Sequence, residues 1–373
     1  MSQRCCRLAF SFSLYAAMLA TAAAASAGTY TVVDLTPHGY EGAGFSGASG
    51  TQQAGSVYLT GSNLSRAALW NGTAASFVDL HPIGYLQSQA IGTSGVQQAG
   101  YGVPSADASV RHALVWSGTA DSVVDLNPSG FLNSTASGAS GAQQVGFGTP
   151  SLVSPRHALL WSGTAASAID LNPSGFFESQ ASGISGDHQV GFGVTGTQPL
   201  HHALLWSGTA ASAVDLSGGA DTGAAYVFGS QQVGATIGTW THALLWNSTA
   251  ASKVDLHPDR LGSDIGSGGS AAYATNGIQQ VGALFPYSGG GARTVVWRGT
   301  PASAVDLQSF LPATFTGHGS FATAIDSAGN VFGSANDSAA RAHAIEWMVV
   351  PEPSGLALLG LSSLGLLGRR RVR

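Results

Sequence analysis

Charge is what this 373-residue chain has least of. Asp, Glu, Lys and Arg together make up 9%, against roughly 25% in an average soluble domain. Disorder maintained by charge repulsion is therefore excluded. Basic residues are scarcer still: residues 28–350 hold 18 acidic side chains and 8 basic ones, a net charge of −10 with His neutral. Such a surface has no basic face for a phosphate backbone, and nucleic acid is excluded as a partner. Cysteine occurs twice, at Cys5 and Cys6. Both precede residue 28, so the rest of the chain has no disulfide, thiol nucleophile or cysteine metal site. Glutamate beyond residue 27 is limited to Glu41, Glu178, Glu346 and Glu352, which leaves little for the paired carboxylates of glycoside hydrolysis. Asp259, Asp264 and Glu178 break the repeat described below, but nothing marks them as a pair, and they read as solvated loop charges. Gly-x-Ser-x-Gly, His-Glu-x-x-His and Gly-x-x-x-x-Gly-Lys are all missing. The expectation is a protein with no catalytic residues, no metal site and no cofactor, and not an enzyme.

Both ends of the chain carry addresses. Arg4 and Arg7 precede the apolar run "LAFSFSLYAAMLATAAAA" and the small-residue site Ala25-Ser26-Ala27. This is the pattern of a secretory signal over residues 1–27, recognised by the secretion machinery. At the other end, "VVPEPSGLALLGLSSLGLLGRRRVR" joins Pro-Glu-Pro to an apolar run over 355–368 and an Arg cluster. Fourteen helical residues span about 21 Å, short of a hydrocarbon core of roughly 30 Å. The segment 349–373 resembles the PEP-CTERM sorting signal of Gram-negative bacteria. Val350, Pro351, Glu352 and Pro353 stand for its motif, and Arg369, Arg370 and Arg371 for its basic end. The resemblance implies an exosortase, a membrane transpeptidase, as processing partner. It also implies transient anchoring by the C-terminal helix before delivery to the cell surface or exopolysaccharide matrix. The same tail is sometimes called an ice-binding C-terminus, which names an address; ice binding itself would need a flat Thr array, and the strands show none.

Between these ends the chain repeats. Tryptophans recur at 70, 116, 161, 206, 246, 297 and 347, and the Asp of "VDL" or "IDL" at 34, 79, 125, 170, 215, 255 and 306. Each of the first six Trp is followed by its Asp nine residues later. In the fourth unit four short strands are expected: "QASGIS" (180–185), "HQVGFG" (188–193), "HALLW" (202–206) and "SAVDL" (212–216). Four-stranded units at this period predict a β-propeller, with the small-residue first strand innermost. Asp34 has no Trp before it and Trp347 no "VDL" after it, so "TYTVVDL" at 29–35 supplies the strand that the last unit lacks. The expected fold is an all-β, seven-bladed propeller over residues 28–348, closed by the N-terminal strand. "HALLW", "VDL", "SGISG" and "HQVGFG" also resemble the HAF-type repeats of extracellular bacterial proteins, which implies an exported propeller-like domain and no defined activity.

Repeated His (112, 157, 202, 242 and 343) and repeated Asp suggest chemistry at first, but residues that recur in nearly every blade read as frame. A metal would need ligands converging on one ion, and blades set around an axis keep them apart. The Asp is expected to accept backbone N–H groups and set a turn, the His to bond a turn or a neighbouring blade. The longer second-to-third and fourth-to-first connections collect on one face. There lie Tyr40, Tyr85, Phe131, Phe176, Phe177, Trp240 and Tyr287, of which all but Phe177 make the candidate ligand face. Aromatic rings there suit a polysaccharide. The expected function is a surface or matrix protein that binds or builds structure; a glycan lyase or hydrolase on the same face is the alternative.

Overall fold

The computed structural model describes residues 29–62, 64–196, 200–238, 241–258, 261, 268–289, 291–315 and 317–350. These form seven four-stranded antiparallel sheets arranged as the blades of a propeller, with no α-helix among the described residues. Blade four is typical. It has strands Phe176–Ser185, His188–Thr195, His201–Trp206 and Val214–Asp215, hydrogen-bonded in that order from the axis outward. Blade seven takes its outer strand, Thr29–Asp34, from the other end of the chain. That strand pairs with Ala342–Val350 in a register running from Thr29 opposite Val350 to Asp34 opposite Ile345. Closure by the N-terminal strand is thus observed.

There is no single core. The buried apolar residues fall into seven clusters, each filling the seam between two neighbouring blades. Trp206, fully buried, packs on Val145, Leu160 and Leu171 of blade three. The other six repeated tryptophans are equally buried. Trp70, Trp246 and Trp347 also donate their indole N–H to the Leu carbonyl that follows the preceding blade's Asp. In the other four the indole N–H finds no partner among the described residues, and the ring contributes by packing.

Every inner strand carries a β-bulge at the same place, between Ala181 and Gly183 in blade four and between Phe45 and Gly47 in blade one. The bulge increases local twist and brings the inner strand close to the second. A Cβ on Gly191 would collide with the Gln180 carbonyl oxygen, and the equivalent glycine of every other blade meets the same obstacle. One strand differs from expectation. "SAVDL" is a two-residue strand, because Ala210–Ser212 first forms a 3-10 turn. Ser212 Oγ accepts the Ser207 N–H (2.8 Å) and donates to the Thr209 carbonyl (2.6 Å), which winds the chain instead of extending it. The inner strand, in turn, begins four residues earlier than expected, at Phe176.

Candidate functional site

The loop-rich face is built by one recurring turn. In "DLNPSGF", Asp170 Oδ1 accepts the Asn172 N–H at 2.8 Å, and Asn172 Nδ2 donates to the Phe176 carbonyl at 3.1 Å. Gly175 adopts φ +89°, a conformation that a side chain would strain. The second carboxylate oxygen of each Asp goes to the repeated His. The His Nδ1 to Asp Oδ2 distances are 2.6 Å for His112–Asp125, 2.7 Å for His157–Asp170, 2.8 Å for His202–Asp215 and 2.7 Å for His242–Asp255. Arg66 makes the same bond to Asp79 at 2.7 Å, and Arg293 pairs with Asp306. His343 reaches across the closure to Asp34 at 2.8 Å. The His therefore ties its own blade's outer strand, not a neighbouring blade. Burial pushes the Asp215 carboxyl up, but hydrogen bonds from Ser217 and His202 hold it below its ordinary value. At Asp306 burial prevails over Arg293 and raises the carboxyl. Seven such pairs, one per blade, are frame.

Four of the expected face aromatics lean on that frame. Tyr40 stacks edge-on against Phe77 (5.2 Å between ring centres), and Phe176 does so against His202 (5.6 Å). Phe131 covers Gly148 beside Leu159. The Tyr85 hydroxyl donates to Asp125 at 3.3 Å, and burial with the Asp125 charge raises its pKa to about 12. All four are half-buried. Tyr287 is 64% exposed, in the second-to-third connection of blade six. Trp240 lies outside the described residues.

Phe177, expected on this face beside Phe176, is exposed, and the structure adds further outward residues. Blades one, two and four carry a second bulge at the loop-rich end of the inner strand, which turns Glu41, Leu86 and Phe177 outward. Phe177 is 59% exposed. Ile83 and Val153 are almost fully exposed on the same side, with Leu152 next to Val153. A legible sign existed for Ile83: it stands in "HPIGY" where blades three and four have Ser129 and Ser174.

At the axis the first bulge directs Ser46, Ile91, Ser137, Ser182, Ala225, Tyr273 and Thr323 into a narrow channel of about 210 Å³. Tyr226 and Tyr273 are its sole ionisable lining residues among the described ones, and burial raises both phenols. The opposite, tight-turn face is stitched by a repeated Gln. Gln189 Nε2 donates to the Asp187 carbonyl (2.9 Å) while its Oε1 accepts the Gly208 N–H (2.8 Å). The chain leaves blade seven at Val350 on this tight-turn face, opposite the exposed aromatics.

One family matches the chain, the PEP-CTERM protein-sorting motif, over residues 349–371. It marks an exported protein sorted by an exosortase, with Val349 and Val350 still inside the closure sheet and Pro351, Glu352, Pro353, Arg369, Arg370 and Arg371 outside the described residues. The HAF-type resemblance rests on the repeat residues alone. No helix among the described residues is long and apolar enough to cross a membrane. No curated protein matches. Among solved structures, the β-propeller domain of the Trilobed protease from Pyrococcus furiosus is similar at TM-score 0.54 and 9% identity, over 86% of this chain and 95% of that one. Pyrococcus horikoshii acylaminoacyl peptidase is similar at TM-score 0.50 and 12% identity, over 84% of this chain. A puromycin hydrolase is similar at 0.52 and 11%, over 81%. The chain spans 53% of each of these two enzymes. These likenesses overturn the expectation that the chain is not an enzyme: the solved structures it is similar to are a propeller domain of a protease, a peptidase and a hydrolase. At such identity the likeness shows the fold alone.

Proposed function

We propose that the protein is delivered to the cell surface or its exopolysaccharide matrix, transiently anchored by its C-terminal segment, and binds a polysaccharide there through the loop-rich face. The observation that carries this reading is the placement of Phe177 and Tyr287, large rings held out to solvent on the side opposite Val350. A tail held at a membrane leaves that side facing outward. Aromatic rings present rigid area at low entropic cost and stack on the apolar faces of sugars. The acidic surface favours a neutral or cation-bridged glycan over a polyanionic one.

The test is retention of the purified exported protein on the cell's own exopolysaccharide, alongside a glycan array. Phe177→Ala, Tyr287→Ala and Trp240→Ala are each expected to weaken retention several-fold, and together at least about tenfold. Unchanged retention in the triple variant contradicts the reading. The retained fractions are also assayed for glycan turnover, since the fold is one that enzymes share.

A further inference from the structure

In six blades the residue before the repeated Trp is aliphatic: Leu69, Val115, Leu160, Leu205, Leu245 and Val296. Each belongs to the cluster that fills the seam with the next blade. In blade seven that position is Glu346, 5% exposed, at the seam between the last blade and the first. The Glu346 carboxylate has no hydrogen bond or ion pair among the described residues, and it borders a cleft of about 300 Å³. Asp326, Asn330 and Phe332 form the blade-seven wall, while Gly50, Thr51, Gln53, Asn71 and Gly72 form the blade-one wall. Among the described residues no Arg, Lys or His lines the cleft.

We propose that this closure-seam cleft binds a hard divalent cation of the calcium class, with Glu346 as its principal ligand and Asp326 facing it. A buried carboxylate without a partner destabilises the fold, and an aliphatic residue fills the same position at the other six seams. Phe332 apart, the groups around Glu346 carry carboxylate, amide, hydroxyl and peptide oxygens, the set that Ca²⁺ takes with water completing its shell, although Asn330 Oδ1 and Gln53 Oε1 already accept the Val349 and Gly72 N–H groups. Sulfur and imidazole, which would select zinc or copper, are absent from the lining. Asp326 is held in place, its Oδ1 accepting the Ala328 and Asn330 N–H groups and its Oδ2 accepting Asn330 Nδ2, all at 2.9 Å, which leaves Oδ2 the oxygen with room for a cation. The cleft opens on the tight-turn face, four residues before the chain leaves the ring at Val350.

The experiment is calorimetric titration of the purified protein with CaCl2 and separately with MgCl2, paired with thermal unfolding in CaCl2 and in chelator. One Ca²⁺ site is expected with Kd of order 10⁻⁵–10⁻³ M, weaker Mg²⁺ binding, and a higher Tm in CaCl2. Glu346→Gln and Glu346→Leu are expected to weaken Ca²⁺ binding at least tenfold while unfolding at a higher temperature than the unaltered protein in chelator. Leu copies the other seams, and Gln keeps the shape should Leu disturb the packing. The proposal is overturned if 10 mM CaCl2 leaves Tm and heat unchanged, or if Glu346→Gln binds Ca²⁺ as the unaltered protein does.

Discussion

Blades one to six and blade seven are built from the same repeat, but only the first six are continuous. In those six the third strand leads through a 3-10 turn into a two-residue outer strand, and a buried Gln ties the two tight turns together. In blade seven the turn does not exist. Val331 stands opposite Trp347 where Gln189 stands opposite Trp206, and the outer strand pairs over six residues. The His–Asp pair, however, survives as His343–Asp34. Features that serve a turn vanish with the turn, and features that bind an outer strand to its blade persist. Glu346 belongs to neither group, which is why it stands out.

The comparison breaks most completely if the closure is removed. Deleting residues 28–34 opens blade seven and strips Tyr30 from the cluster around Trp347. The protein is expected to lose more than about 5 kcal/mol or to fail to fold, measured by urea unfolding. Next comes Trp206→Ala, expected to cost about 3–5 kcal/mol by the same measurement. Trp347→Ala should cost at least as much, since its indole also bonds the Leu307 carbonyl.

Glu346 provides a sharper contrast through pH. Its carboxyl sits above the ordinary 4.5, at about 7 in the folded protein, so the fold favours the protonated form. That stabilisation is fully present below about pH 4.5 and is lost as pH rises through 7. In metal-free buffer the Tm of Glu346→Gln should match that of the unaltered protein near pH 5 and exceed it at pH 8. The difference corresponds to at most about 3 kcal/mol. The smallest effect is expected from His202→Ala. The pair is partly solvated, and its loss should cost under about 1 kcal/mol at pH 7.

Much of the frame was legible because it repeats. Trp and Asp spacing gave the hairpin, and the unmatched Asp34 and Trp347 gave the closure. The His–Asp pairing was also legible, since His or Arg precedes Asp by a constant 13 residues, as at His112–Asp125 and Arg66–Asp79. The exposed residues were harder. Phe176 and Phe177 are adjacent in sequence, yet one packs on His202 and the other points to solvent. Only the bulge between Phe176 and Glu178 separates them, and a bulge leaves no mark in residue type. Glu346 in "HAIEW" was visible against "HALLW", but its meaning depends on which seam it faces. That is set by closure between residues some three hundred positions apart.

The account holds that the repeat is frame and that the protein acts where the repeat is broken. Its most direct test measures retention on the cell's exopolysaccharide for two sets of variants at equal folded fraction. His202→Ala and Asp215→Asn alter the frame pair; Phe177→Ala and Tyr287→Ala alter the outward rings. The account predicts unchanged retention for the first set and a several-fold loss for the second. Loss in the first set with none in the second would contradict it.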